Sequence, residues 1–221
     1  MKIIGFSIDG VVRDRFTQFD KMYRKKFIKN EQLVKMDEFF RYLPEEEESD
    51  SEISRIQSMV DEKIKYPIDT YDLKNHYKFE NSEEFQNFVN QDYVFEIYGS
   101  APPVAKSMDK INRLQKIGEA NKSYETVLIS DEEEQAIQAT FHFLAKSACR
   151  IKKLIFEKDK SRLWDYCDII ITDNPELLES KPKDKISVKI LADYNQYDSS
   201  DHEFKSVTEI DDSFFVKLTQ K

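Results

Sequence analysis

Four polar side chains stand where apolar runs stop: Ser7, Asp9, Ser130 and Asp173. Ser7 and Asp9 close the run Ile3-Ile4-Gly5-Phe6-Ser7-Ile8, and Gly10 follows, which permits a sharp exit where an acidic side chain meets a ligand. Ser130 ends Thr126-Val127-Leu128-Ile129, and Asp173 ends Cys167-Asp168-Ile169-Ile170-Ile171-Thr172. Two carboxylates and two hydroxyls at such edges place the chemistry in acid–base or metal-assisted handling of a polar ligand.

The elements that must position these residues alternate. The stretch 3–12 suits a buried strand. Phe16, Phe19, Tyr23, Phe27 and Ile28 then recur at three- and four-residue intervals and predict a helix with one apolar stripe. Met36, Phe39, Phe40 and Leu43 continue that style to Pro44, and a second helix is expected from Ser51 or Ser54 through Ile53, Ile56, Met59, Val60 and Ile64, ending before Pro67. Ser82 reads as an N-cap ahead of Phe85, Phe88 and Val89. Residues 15–98 thus read as a mostly helical insertion. Beyond it, Pro102 and Pro103 suit a helix start and Gly118 its close, with Val104, Met108, Ile111 and Leu114 at helical spacing between. Strands are expected over 126–130, 153–156, 167–173 and 187–192, with a helix over 136–149. That order predicts an α/β fold with a doubly wound parallel sheet, in which ligands sit at the carboxyl ends of the strands.

In the same order, these places resemble the motifs of the haloacid dehalogenase (HAD) superfamily. Phe6-Ser7-Ile8-Asp9-Gly10-Val11 is similar to its first motif, DxDGT or DxDGV, whose first aspartate takes up a phosphoryl group and whose second is the general acid/base. Val127-Leu128-Ile129-Ser130 is similar to the second, a strand ending in a hydroxyl that bonds a phosphate oxygen. Lys160, in Lys160-Ser161-Arg162-Leu163-Trp164, best fits the third, with Lys158 its near rival. Thr172-Asp173-Asn174-Pro175 fits the fourth, which often carries two acids and here carries one. Within the superfamily the chain looks most like the 5'(3')-deoxyribonucleotidase branch, which has a helical cap directly after motif one and an Asn-bearing loop after a late strand, here Asp193-Tyr194-Asn195. The resemblance implies a HAD-like, Rossmannoid core over 1–14 and 99–221, with a helical cap inserted over 15–98.

The chain departs from the pattern at position 7. The resemblance implies a Mg²⁺ site made by the nucleophile carboxylate, the backbone carbonyl of Asp9 and the motif-four acid. With Ser7 in the first place, Asp173 alone supplies a carboxylate from those positions. In a partly buried cleft that should weaken metal binding by roughly several kcal/mol. Serine must also lose a proton before it attacks, and Asp9, near a reference pKa of ~4, is a poor base. His76, His142 and His202 fall in the insertion, a helix and a polar tail loop. Asp9 therefore reads as a vestigial acid/base and weak metal position with Asp173, Ser7 as the replaced nucleophile, and Ser130 with Lys160 as the phosphate-binding pair.

Bulk properties agree with that direction. A net charge of −9 over 221 residues argues against a broad nucleic-acid surface. No apolar run approaches the ~20 residues of a membrane span, and Cys149 and Cys167 suit a reducing compartment, so a soluble cytoplasmic chain is expected. The sequence contains neither GxGxxG nor GxxxxGK[ST], which removes dinucleotide and P-loop readings. The acidic run at 45–48 reads as an exposed loop or helix start. Trp164 reads as packing, and the aromatic-rich insertion as cap core with a surface for protein partners. The function expected is a catalytically degenerate HAD-like protein without a cofactor, reused as a structural, assembly or interaction module with protein partners or copies of itself. The Lys-, Asp- and Tyr-rich composition suits an AT-rich genome and extends this to a phage virion component. The alternatives are a Mg²⁺-dependent nucleotide phosphomonoesterase that keeps Asp9, Ser130, Lys160 and Asp173, and a phosphate- or nucleotide-binding sensor.

Overall fold

The strands that carry Ser7, Ser130 and the approach to Asp173 are immediate neighbours. In the computed structural model, which describes residues 1–27 and 68–219, β1 (Lys2–Ser7) pairs in parallel with β2 (Tyr124–Ser130) on one side and β4 (Ile169–Thr172) on the other. β3 (Leu154–Phe156) flanks β2, while β5 (Ile186–Ile190) and β6 (His202–Phe204) extend the other edge, giving a six-stranded parallel sheet in the order β3-β2-β1-β4-β5-β6. The strand order reverses direction at β1, so the gap between β1 and β4 at their carboxyl ends is the switch point where such sheets hold ligands.

Side chains alternate across this sheet with a period of two, as the pleat requires. Ile4, Phe6, Leu128, Ile169 and Ile171 face one layer with Met108, Ile111 and Leu114 of α4 (Ser107–Asn121), Phe143 and Leu144 of α5 (Glu134–Lys146), and Phe215 of α8 (Phe214–Thr219). Val127, Ile129 and Ile170 face the other, with Leu163 and Trp164 of α6 (Leu163–Tyr166) and Leu177 of α7 (Pro175–Glu179). Each fully buried aliphatic or aromatic chain contributes about 1.5–3 kcal/mol. Trp164 is packed as expected, its indole N–H donating to the Leu177 carbonyl at 3.0 Å.

Between β1 and α4 the chain forms α1 (Arg15–Phe27), α2 (Leu73–His76) and α3 (Ser82–Asn87), followed by two turns with i→i+5 bonds at Phe88–Asp92 and Phe95–Gly99. Phe19, Met22 and Tyr23 of α1 gather Leu73, Tyr77, Phe88, Val89, Ile97 and Tyr98 into a second, aromatic core, which rests on Ala136 and Ala139 of α5. The helices expected at 36–43 and from 51 or 54 to 64, and the acidic run at 45–48, lie outside the described residues. Among the described residues no helix is long and apolar enough to cross a membrane.

Four local expectations are corrected. Asn81, one residue earlier than Ser82, caps α3 by accepting from the Glu84 N–H at 2.9 Å. Pro102 and Pro103 do not start a helix: Pro102 accepts from the Asp14 N–H at 2.9 Å, Pro103 bridges to Arg13, and α4 begins at Ser107. Gly118 lies inside α4, which ends beyond it at Lys122 in the left-handed region (φ 50); the glycine is needed because a Cβ would meet Tyr124 Cε2 at 2.5 Å. His202 is in β6 rather than a loop, a three-residue strand too short to show a period.

Candidate functional site

At the end of β1 the chain turns back on itself within six residues. The N–H groups of Val12 and Arg13 both donate to the Ile8 carbonyl at 3.0 and 2.9 Å, and the Gly10 N–H donates to the Arg13 carbonyl at 2.9 Å. Gly10 takes φ 73, and a Cβ there would stand 1.7 Å from Asp173 Oδ2. Only glycine leaves room for the acid of the β4 edge to lie across this turn. The same turn returns Arg13 to Asp9, four residues earlier.

Arg13 is wholly buried and almost fully satisfied. Its Nε donates to Asp9 Oδ1 at 2.6 Å, its Nη1 to Thr140 Oγ1 at 2.6 Å and the Tyr98 carbonyl at 3.1 Å, and its Nη2 to Glu132 Oε1 at 3.2 Å. A second guanidinium closes the other side of the carboxylate, with Arg15 Nη1 at 3.3 Å from Asp9 Oδ2. Burial pushes the Asp9 carboxyl up, but Arg13 and Arg15 override it and hold the group below the usual carboxylate value. Glu132 sits on the same guanidinium, yet its burial dominates and its carboxyl is raised.

Asp173 has the opposite surroundings. It is buried beside Gly10, its Oδ2 accepts a short hydrogen bond from the Tyr194 hydroxyl, and its Oδ1 has no partner among the described residues. Burial pushes its pKa to about 7, against the pull of the Tyr194 hydrogen bond and with help from the negative charge of Asp9. The loop after β5 holds this arrangement: Asn195 Nδ2 donates to the Asp173 carbonyl at 2.8 Å and to the Ile190 carbonyl at 2.9 Å. Tyr194 in turn packs against Phe16 at a tilt and Tyr71 edge to face, ring centroids 5.2 and 5.5 Å away, which ties the inserted helices to the sheet edge.

The sequence-derived site residues divide into two groups. Ser7, Asp9 and Ser130 converge around a void of about 10 Å³ beneath Tyr71, room for a single water. The two hydroxyls are already engaged: Ser7 Oγ donates to Thr172 Oγ1 at 2.8 Å, and Ser130 Oγ donates to Glu132 Oε1 at 2.7 Å. Lys160 stands apart, in a wider cleft, with its Nζ 2.9 Å from Glu176 Oε2 and 3.5 Å from Asp131 Oδ2. Lys158 is exposed and pairs with Glu133.

Mg²⁺ asks for several hard oxygens, most of them charged. Two carboxylate oxygens without a hydrogen bond are in the right neighbourhood, Asp173 Oδ1 and Asp9 Oδ2, the latter 3.3 Å from the Arg15 guanidinium. The rest of the donor set fits poorly: Ser7 is neutral, two guanidinium groups already balance Asp9, and Asp173 takes a proton near neutrality. Among the described residues no three His, Cys, Asp or Glu side chains are grouped to hold a metal ion.

Sequence reasoning missed Arg13 and Arg15, which flank Asp9, Glu132 and Thr140, which bond Arg13, and the placement of Tyr71 over the void and of Tyr98 against both guanidinium groups. One signal was available, the i, i+4 spacing of Asp9 and Arg13. The loop at Asp193-Tyr194-Asn195 was singled out by the resemblance, but the contact of Tyr194 with Asp173 was not.

No protein-family model and no curated protein matches the chain. Solved structures do match it along nearly their whole length. YfnB of Bacillus subtilis, a HAD-hydrolase candidate bound to magnesium, superimposes with TM-score 0.52 at 11% identity over 94% of this chain and 96% of that one. A dehalogenase gives 0.51 at 12% over 95% of each chain. L-2-haloacid dehalogenase from Xanthobacter autotrophicus, with chloropropionic acid covalently bound, gives 0.50 at 9% over 99% and 98%. Identity this low shows a shared HAD-like α/β fold and does not extend to chemistry.

Proposed function

We propose that this chain keeps the HAD-like fold without its phosphoryl-transfer chemistry, and acts as a binding or assembly module. One observation carries the reading: the carboxylate of Asp9, the acid/base position of the resemblance, is held between Arg13 at 2.6 Å and Arg15 at 3.3 Å. A general acid/base must exchange a proton near the working pH, and a carboxylate paired with two guanidinium groups stays ionised. The nucleophile position supports the same conclusion. Ser7 donates its proton to Thr172, a hydroxyl that cannot serve as a base. The cleft supports it too, because Lys160, the phosphate-binding lysine that the resemblance implies, faces Asp131 and Glu176. The virion setting suggested by composition gains nothing from the fold or the neighbours and is not part of this proposal.

The test is phosphate release from deoxynucleoside monophosphates with added Mg²⁺. The expected result is release no faster than in buffer, and Ser7→Asp alone is expected to remain inactive because Arg13 and Arg15 still hold Asp9. Turnover by the unmodified chain that disappears in Asp9→Asn would return the protein to the phosphomonoesterase reading.

A further inference from the structure

At the β3 edge of the sheet, the Leu128 N–H donates to the Lys153 carbonyl and the Glu157 N–H to the Ser130 carbonyl, each at 3.0 Å. The odd residues of 153–157 therefore face β2, and the N–H and C=O groups of Leu154 and Phe156 point away from the sheet. No hydrogen bond uses those groups among the described residues. We propose that this edge pairs with its own copy, antiparallel about a twofold axis at Ile155, joining two six-stranded sheets into one. The inference deepens the assembly reading above, on which it rests, by naming the partner and the surface.

The register satisfies every free group. Antiparallel strands alternate hydrogen-bonded and non-hydrogen-bonded pairs. With Ile155 opposite the partner's Ile155 as a non-hydrogen-bonded pair, Leu154 meets the partner's Phe156 as a hydrogen-bonded one, and the symmetry repeats it. The side chains agree with the same register. Lys153 comes opposite the partner's Glu157, twice over. Lys153 is exposed and makes no ion pair among the described residues, while Glu157 holds Arg162 at 3.5 Å. On the other face, Leu154 and the partner's Phe156 meet beside Phe141 of α5. That ring is 50% exposed and packs edge-on against Phe156, centroids 5.9 Å apart. Lys152 and the partner's Lys158 are alike in charge, but each already has a carboxylate of its own, Glu119 and Glu133.

The β6 edge is closed to such pairing. The Leu191 N–H donates to the Phe204 carbonyl at 2.9 Å, so Glu203 is the residue of β6 that faces out. The Lys205 N–H beyond it is taken by Glu209 at 3.0 Å. Pairing centred on Glu203 would set two carboxylates opposite each other, which is destabilising.

Sedimentation equilibrium on the full chain tests the pairing. A concentration-dependent dimer is expected, weakened about tenfold or more by Lys153→Glu and by Glu157→Lys, since each sets like charges opposite. Mixing the two variants should restore a heterodimer to within about threefold of the parent affinity, because every opposition is then between unlike charges. A chain still monomeric at about 1 mM would overturn the proposal, as would a dimer indifferent to both substitutions or a mixture that stays monomeric. Phosphate release, measured on the same samples, reads the non-hydrolytic proposal by itself: release from a dimer sinks that proposal alone, and a monomer that releases none sinks the pairing alone.

Discussion

Asp9 and Asp173 belong to neighbouring strand ends and meet across Gly10, yet the two edges neutralise their carboxyl groups by different means. At the β1 edge the counter-charge is protein: Arg13 and Arg15 hold Asp9 ionised. At the β4 edge no cation makes an ion pair with Asp173 among the described residues; burial and a tyrosine hydroxyl leave it a carboxyl group with a pKa of about 7. Guanidinium groups do not titrate in the ordinary range, so the first edge is indifferent to physiological pH while the second is poised within it. The difference teaches that residue type at a strand end does not set its chemistry. The side chains that other elements bring to it do.

The largest effect should come from breaking the first edge. Arg13→Met leaves Asp9 and Glu132 buried without their shared cation and should cost about 3–5 kcal/mol, read from urea denaturation. Adding Asp9→Asn and Glu132→Gln to that variant should recover part of the loss. A cost for Arg13→Met within experimental error of zero would mean that the ion pairs do not organise this edge.

The second edge should show itself through pH. Between the unfolded value of 3.8 and the folded value of about 7, the native chain keeps a proton on Asp173 that the unfolded chain has released. Stability should therefore fall as pH rises through that window, by up to about 4 kcal/mol, and this contribution levels off above it. Asp9 has the reverse sign: its folded pKa is lowered, so its contribution is present above the unfolded value and lost as pH falls through the folded one. Asp173→Asn has no proton to exchange and should remove its share of the fall between pH 4 and 7, leaving that of Glu132, whose carboxyl is also raised. Denaturation midpoints measured across that range decide the matter, and an unchanged slope in the variant would sever Asp173 from the effect.

The smallest effect is the sharpest comparison. Tyr194→Phe removes the one side-chain hydrogen bond that favours ionised Asp173, so its pKa should rise above about 7 while stability changes by only about 1 kcal/mol. Carboxyl-carbon NMR titration follows this directly. A fall in the Asp173 pKa would show that Tyr194 acts through something other than that bond.

The sheet was readable because its strands are short apolar runs whose ends carry polar residues; Ile169 to Thr172 could scarcely be anything but a buried strand. Where the pattern misled, a tertiary contact outweighed the local signal. Gly118 resembles a helix stop, but it is a glycine because Tyr124 packs where a Cβ would be. Pro102 and Pro103 resemble a helix start, but their segment pairs with the turn that carries Arg13. In the site, Ser7, Asp9, Ser130 and Asp173 were found because strand ends are marked in the sequence. Arg13 was not, because a lone arginine after a strand is ordinarily a solvated residue, and nothing local shows that Tyr98, Glu132 and Thr140 will enclose it.

The order of residues alone determined that a parallel sheet would form and which polar groups would stand at its ends, since apolar periodicity and turn residues are properties of contiguous chain. It also determined that position 7 holds no carboxylate. Tertiary structure alone decided the charge state of those ends. Tyr194 reaches Asp173 from 21 positions on, and Glu132 and Thr140 reach Arg13, the partner of Asp9, from 119 and 127 positions on; only folding brings such groups within the few ångströms over which a buried charge is felt.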